Sequence, residues 1–470
     1  MRVIIGIIVV LVLGLLGATY WFGMGVEKKY TVMIESANNI GRLEVKQKSY
    51  DRGFLSSAAE VEYSVKSRSG KAGFRVISKD EIVHGPIGLA NMIKGKFSFN
   101  LNQALIENTL TLTATSDEGF NKILKQLPPV KLNSVVAMSG DFVSTLSLTP
   151  FKKTFKENEI TVDFKGIKGK FSSNAQLTKG KGALKMPLLD ISGEDANLNF
   201  TNLAFDYDVD KGKDGLGPPL GSASFSMSKF HILTDDGKDF NLDDLIFKSH
   251  VVEKKGNIEF KLDVKLNEIS LDETVYGPGS FVLAIRNIDS KTWIKIKKEM
   301  DKLDKKKISD YERSKMTNST IMKMLPDLLK NSPEIELTEL SFKTSEGEMS
   351  GWAKIYLSDS SPETLKNLFL LIGAINAELK FSMPALDLEK ILEDMERDKI
   401  LENYEAEGRT PPMEVELQIL AKEAVAERMQ QFVEQGMFRV KNDHYTIEVA
   451  YKGGQLTVNG EDKPIPMVGF

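Results

Sequence analysis

Residues Ile258–Leu271 read IEFKLDVKLNEISL. Apolar and polar side chains alternate up to Asn267 and again from Glu268, the period-two signature of an antiparallel strand with one apolar and one polar face. The same alternation returns in FSFNLN (Phe97–Asn102), TLTLTAT (Thr109–Thr115), ANLNFTNLAFDYDV (Ala196–Val209) and IELTELSFKT (Ile335–Thr344). Turn-forming clusters punctuate these runs at Lys66–Gly70, Asp210–Gly215, Asp235–Gly237 and Ser345–Gly347. Together they predict an α+β fold that is mainly antiparallel β: an elongated, multi-stranded sheet body with a few packing helices.

Where the period changes, helices are expected. From Ser290 to about Lys315 an apolar stripe of Trp293, Ile296, Met300 and Leu303 is flanked by many lysines, from Lys291 to Lys307. Such a helix suits either an anionic lipid surface or a solvated outer face. A second helix is predicted over Asn318–Lys330, bent or broken at Pro326. Two more follow, Asp387–Glu402 and Met413–Gln435, joined by the polar linker Glu405–Pro412, and a hairpin closes the chain.

The end of the quoted stretch belongs to a repeat. ISLDETVYGP (Ile269–Pro278) matches ISKDEIVHGP (Ile77–Pro86) at seven of ten positions. Each copy ends on an aromatic ring followed by Gly-Pro: His84-Gly85-Pro86 and Tyr276-Gly277-Pro278. Proline lacks the ladder donor and holds its predecessor extended, while glycine takes backbone angles closed to other residues. The motif therefore reads as a device for leaving a sheet, written twice by an internal duplication, with each copy at an equivalent corner. A catalytic role for His84 is weakened by tyrosine at the matching position.

The N-terminus has a different character. From Val3 to Met24 there is no charge, and Val3–Leu16 holds twelve Val, Ile and Leu residues. At roughly 0.3–0.6 kcal/mol each, these favour membrane insertion by about 4–7 kcal/mol. Arg2 on one side and Tyr20, Trp21 and Phe22 on the other suit the two membrane interfaces. Leu16-Gly17-Ala18 makes a poor cleavage site, so an uncleaved signal-anchor is expected, N-terminus in the cytoplasm and body outside it. The domain reading is 1–26 anchor, 27–216 first β-rich unit, 217–386 second β-rich unit with the lysine-rich helix, and 387–470 C-terminal helices with a hairpin.

Composition narrows the chemistry. The formal net charge of −4 gives no basic excess for nucleic acid, and the absence of cysteine removes disulfides, thiolate metal sites and thiol nucleophiles. Four histidines are spread without metal-binding spacing, and neither a nucleophile elbow nor a phosphate-cradling glycine loop occurs. No catalytic, metal or cofactor residues are nominated.

Small motifs, individually weak, follow one another in a telling order. They are Tyr50-Asp-Arg52-Gly53-Phe54-Leu55-Ser56-Ser57, His84-Gly85-Pro86, Tyr276-Gly277-Pro278, Asn287-Ile-Asp289, Asp443-His-Tyr445 and Leu456-Thr-Val-Asn459-Gly460. Behind the N-terminal apolar run, this order resembles the YdgA-like family of inner-membrane-anchored bacterial proteins, with Leu55 where a second aromatic is expected. The resemblance implies an anchored periplasmic body and transfers no catalytic residue. A looser similarity to AsmA-like envelope proteins implies a link to lipid movement and envelope upkeep.

The function expected is non-enzymatic: a single-pass envelope protein that binds phospholipid or another apolar ligand on a sheet face. The alternative is a structural or interaction protein, self-associating or partner-binding through exposed edges or through Leu388, Ile391, Leu392, Met395 and Ile400. A third is a hydrolase built on His84.

Overall fold

The computed structural model describes residues 43–66, 72–95, 101–114, 121, 124–155, 159–212, 217–304, 306, 308–406, 408–410 and 412–464, and at the N-terminus 19, 23–28, 30–31 and 34. Arg2, the run Val3–Leu16, Tyr20, Trp21 and Phe22 lie outside the described residues, as does most of FSFNLN. Among the described residues no helix is long and apolar enough to cross a membrane.

The alternating runs become strands of antiparallel sheet, and the chain divides into two compact units, Met1–Gly215 with Leu233–Asp235, and Leu216–Ile232 with Asp236–Phe470. In the first, β1 (Leu43–Arg52), β2 (Ser56–Lys66), β3 (Ala72–His84), β4 (Asn102–Ala114), β5 (Val130–Ala137) and β6 (Phe142–Leu148) pair in chain order. After β6 comes β9 (Ile167–Ser173), then β10 (Lys179–Ser192) and β11 (Ala196–Asp210). The hairpin of β7 (Phe151–Phe155) and β8 (Ile160–Phe164) joins the far half of β10, where Phe155, Val162, Phe164 and Met186 are buried together. A short helix, α1 (Leu89–Ile93), lies in the β3–β4 connection.

Over β1–β4 lies a helix described at Thr19, residues 23–28, 30–31 and 34. Its Val26, Tyr30 and Ile34 share a core with Val45, Ala59, Val61, Ile82, Ala104 and Ile106. Those six strand residues lie on one side of the pleat: Ala59 and Val61 are two apart on β2, and the registers set Val45, Ile82, Ala104 and Ile106 on the same side. A domain boundary at residue 26 therefore falls inside a packed element: Val26 itself is buried.

The second unit contains β12 (Leu220–Thr234, up to Ile232) and a sheet in the order β13 (Asp239–Lys254), β14 (Asn257–Leu266), β17 (Gly279–Asp289), β18 (Glu334–Lys343), β19 (Glu348–Leu357), β20 (Ile375–Pro384) and β22 (His444–Lys452). β21 (Arg439–Lys441) and β23 (Gln455–Val458) pair with β22, and β24 (Glu461–Lys463) with β23. Helices stand at the strand ends. At one end are α2 (Ser290–Asp304), α3 (Asp310–Leu329), α4 (Pro362–Lys366) and α5 (Leu368–Ala374); at the other are α6 (Ala385–Ala406) and α7 (Glu414–Glu434).

Three expectations are corrected here. The lysine-rich helix stops at Asp304, and a new one starts at Asp310 behind a capping box in which Ser309 and Glu312 bond reciprocally. That second helix runs unbroken past Pro326, and Trp293 is 40% exposed and not part of a buried stripe. The repeated ten residues also take two conformations. Ile77–His84 is one continuous stretch of β3, whereas Ile269–Tyr276 folds back at Asp272-Glu273 into a hairpin of β15 (Glu268–Leu271) and β16 (Thr274–Tyr276).

Candidate functional site

Both Gly-Pro bonds are cis, and each glycine lies hard against backbone from elsewhere in its sheet. Gly85 N donates to Gln103 O at 2.8 Å and Gly277 N to Lys343 O at 2.7 Å. A Cβ on Gly85 would fall 1.8 Å from Asn102 O, and one on Gly277 2.5 Å from Asn267 O. Glycine is required at both places because another strand occupies the space a side chain would need. Tyr276 stacks on Phe342, with centroids 6.3 Å apart.

His84 is fully buried, and three elements meet on it. Its Nε2 lies 2.8 Å from Ser57 Oγ on β2, and its Nδ1 3.3 Å from the Phe54 carbonyl in the β1–β2 turn. Gly23 of the N-terminal helix covers the ring so closely that a Cβ there would sit 2.5 Å from Nδ1. Two turns further along the helix, Tyr30 Oη donates to the buried Asp80 carboxylate, which also accepts from Ser78 Oγ. Glu27 pairs with Arg52 at 2.9 Å. Burial and then Asp80 raise the Tyr30 pKa, and push that of neighbouring Tyr63 up to about 12. Burial raises the Tyr50 pKa, with nearby Ser57 working against it.

This arrangement clasps a helix to a sheet. A serine–histidine pair at 2.8 Å is also the first half of a hydrolytic triad. Here Nδ1 faces a peptide carbonyl where an orienting carboxylate would be needed, and Ser57 is 3% exposed and His84 0%. No substrate carbonyl reaches Oγ without lifting the helix away.

Burial lowers the His84 pKa, opposed by the Phe54 carbonyl and helped by Arg52. The folded value lies below the unfolded one, so the contribution of neutral His84 is complete above about pH 6.5 and is lost as the pH falls through the folded value. Urea melts of the wild type are expected to weaken from about pH 6.5 downward, with the His84→Gln variant lacking that component of the slope. Equal slopes in the two proteins would remove His84 as its source.

The other motif residues also sit at joints. Asp289 Oδ2 caps α2 through Thr292 N and Oγ1, both at 2.8 Å, and pairs with Lys330 at 3.0 Å. Burial raises the Asp289 pKa, but the Thr292 and Lys330 contacts outweigh it and hold the carboxyl below its usual range. Asn459 Nδ2 donates to Gly436 O and Met437 O, and Tyr445 Oη to Glu389 of α6. The sequence motifs thus mark where elements are fastened together.

A surface of another kind lies in the second unit. The registers align apolar residues in rows across the strands. One row runs Leu262, Leu283, Leu337, Ala353, Leu379 and Val449; the next runs Val264, Phe281, Leu340, Gly351, Phe381 and Ile447. Bulges at Leu337/Leu340 and Ile258/Phe260 keep the rows on one side of the pleat. On β13, Phe247 and Val251 continue the face, and Phe225 of β12 meets Phe247 at 6.2 Å. None of these row residues is buried; Ile335 is 45% exposed, Ile355 49% and Phe247 40%.

The opposite face is polar, with Lys248, His250, Lys261, Lys265, Lys380 and Glu448 exposed on it. On β17 it is Val282 and Ala284, the polar-face residues, that are buried, at 6% and 4% exposure. Charged side chains close over that side: Arg286 bonds Glu334 and Glu336, and Lys354 pairs with Glu334 at 2.9 Å. Seven strands spaced about 4.8 Å apart make the apolar face nearly 30 Å wide. With apolar residues spread over about 27 Å of strand it projects roughly 700–800 Å², above the ~300–600 Å² of a typical monomer's largest apolar patch. The helices close its ends, with Leu371 and Ala374 packed by Leu357 at one and Val425 and Met429 by Tyr445 at the other.

Compared with known proteins, the chain matches a family model described as "Bacterial protein of unknown function (DUF945)" over residues 1–466. It is also similar to "Protein YdgA" of Escherichia coli (strain K12), with 26% identity over 502 aligned residues that span 98% of this chain and 94% of that one. No solved structure matches.

Proposed function

The chain belongs to DUF945, a bacterial family of unknown function, and from that premise we propose, on the geometry of this protein itself, that it is a membrane-anchored envelope protein holding lipid acyl chains on the apolar face of its second unit. The observation that carries this is the set of half-exposed apolar rows over seven strands, closed at both ends by helices and unbroken by charge. An acyl chain needs apolar area and no hydrogen-bond partners. At about 0.8 kcal/mol for each methylene removed from water, a dozen methylenes contribute about 10 kcal/mol before ordering costs.

The uncharged N-terminal run supports an inner-membrane anchor with the body in the periplasm, where phospholipid is at hand. The Gly-Pro ends, alike in the backbone oxygen each glycine meets, support an internal duplication of one β unit.

The test is photo-crosslinking in the full-length chain. A benzophenone amino acid placed at Ile335 or Ile355 is expected to yield phospholipid adducts in cells, and the same group at Lys261 on the opposite face to yield none. Equal adducts at all three positions, or none, would reject the reading.

The helical hairpin of α6 and α7 favours a second reading, a protein interface. Leu388 and Leu392 are packed, but Ile391, Met395, Val415 and Ile419 are 48%, 63%, 68% and 53% exposed. Protein adducts from Met395 without lipid adducts from Ile355 would favour that reading over the first.

A further inference from the structure

We infer that the edge of the first unit built by the β1–β2 turn, the β3–β4 connection and the β5–β6 turn is seated in the surface of the lipid bilayer. This deepens the anchored reading and rests on it.

The registers put these three connections at one edge. Arg52 pairs with Ser57 next to the first, His84 with Ala104 next to the second, and Asn102 with Ala137 next to the third. A backbone bond ties the first two together, His84 N to Leu55 O at 3.0 Å, and another, Asn102 N to Pro86 O at 2.9 Å, closes the second on itself. Large apolar side chains stand exposed on each: Phe54 at 50%, Ile93 at 77%, Leu101 at 67% and Met138 at 46%. An edge facing only water has no reason to gather four such side chains, since each burial forgone leaves about 1.5–3 kcal/mol unrealised.

The N-terminal helix enters the unit at this edge. Gly23 lies on His84 and Gly25 by Gln103, the last residue of β3 and the second of β4, while Tyr30 reaches Asp80, four residues back along β3. The chain therefore travels from the edge inward. Thr19 is described and buried, and Leu16, the end of the apolar run, is three residues before it. Three residues span at most about 11 Å. A bilayer that accepts Val3–Leu16 must accordingly lie close to this edge, and Phe54, Ile93, Leu101 and Met138 are the side chains it meets.

The natural chain has no cysteine, so single cysteines can be read without background. Full-length Phe54→Cys, Ile93→Cys and Leu101→Cys variants, each carrying an environment-sensitive fluorophore, would be placed in nanodiscs of phosphatidylethanolamine and phosphatidylglycerol. Lys131→Cys serves as the distant control, because Lys131 pairs with Thr109, about 24 Å along β4 from Asn102. Brominated lipid is expected to quench the three edge labels several-fold more than the control. Edge labels quenched no more than Lys131→Cys, in chains that resist carbonate extraction, would overturn the seating and leave the anchor standing. Chains released by carbonate would overturn both. Equal strong quenching at all four sites, or disulfide-linked dimers through Phe54→Cys in place of lipid contact, would also overturn it, the latter assigning the edge to a second copy.

Discussion

Gly85→Ala is expected to lower the melting temperature of the purified protein by roughly 6–12 °C. The added Cβ would lie 1.8 Å from Asn102 O and 2.8 Å from Gln103 O. Both are backbone atoms of β4 and its approach, so no side-chain rotation relieves the clash. Gln103 O also accepts the Gly85 N–H bond, and moving it away unpairs the start of the β3–β4 ladder. Overpacking costs about 1–3 kcal/mol and occasionally more, and a clash with a strand belongs at the upper end. About 3 kcal/mol in a domain of some 200 residues corresponds to the stated drop, at roughly 2–4 °C per kcal/mol. Gly277→Ala should behave alike, with a φ of 110° adding backbone strain to a 2.5 Å contact with Asn267 O. Gly373→Ala is the control: it lies in α5 with nothing within 4 Å of its Cβ. A differential-scanning trace in which Gly85→Ala melts with the control would refute the close-approach account of the repeated Gly-Pro.

Leu337→Asp is expected to reduce co-purifying lipid at least tenfold while leaving the circular dichroism spectrum unchanged. Leu337 is central on the apolar face, opposite Leu283 on one side and Ala353 on the other. It is only half-buried, so the substitution leaves no buried charge in the free protein. Acyl chains lying across the row would have to strip water from the carboxylate, at a cost of several kcal/mol. Since about 1.4 kcal/mol is a factor of ten in affinity, a tenfold loss is the lower bound. Lys261→Asp, on the polar face of β14, should retain lipid at the wild-type level. Mass-spectrometric lipid counts that are equal in the two variants would separate the apolar face from any lipid the protein carries.

Alternation made most strands readable, because a period of two survives whatever a strand packs against. It could not say which strands turn back. Ile77–His84 and Ile269–Tyr276 share their pattern, yet the first stays extended because β2 and β4 pair along its whole length, from Ser78 with Val61 and Leu110 to His84 with Ala104. The second reverses at Asp272, whose φ of 52° lets Leu271 pair with Thr274. That choice depends on partners distant in sequence. The break at Ser309 was legible, since Ser309-Asp310-Tyr311-Glu312 places a glutamate three residues on, and the apolar spacing merely ran across it.

The joint at His84 had no local signature. Ser57, Phe54 and Gly23 reach it from β2, the β1–β2 turn and the N-terminal helix and converge only in the fold. The apolar face was half legible: each strand announces an oily side, but whether those sides align depends on register and bulges. Whether another layer covers them is a property of the whole unit.

The clasped helix also bears on how the anchor proposed above would hold the first unit. A domain on a loose tether sweeps out a volume and samples every heading. Here Gly23 against His84, Glu27 against Arg52 and Tyr30 against Asp80 fasten the described part of the helix to the sheet. With the proposed anchor in a bilayer, the unit would keep one altitude above it, and whatever it exchanges would have to travel to it.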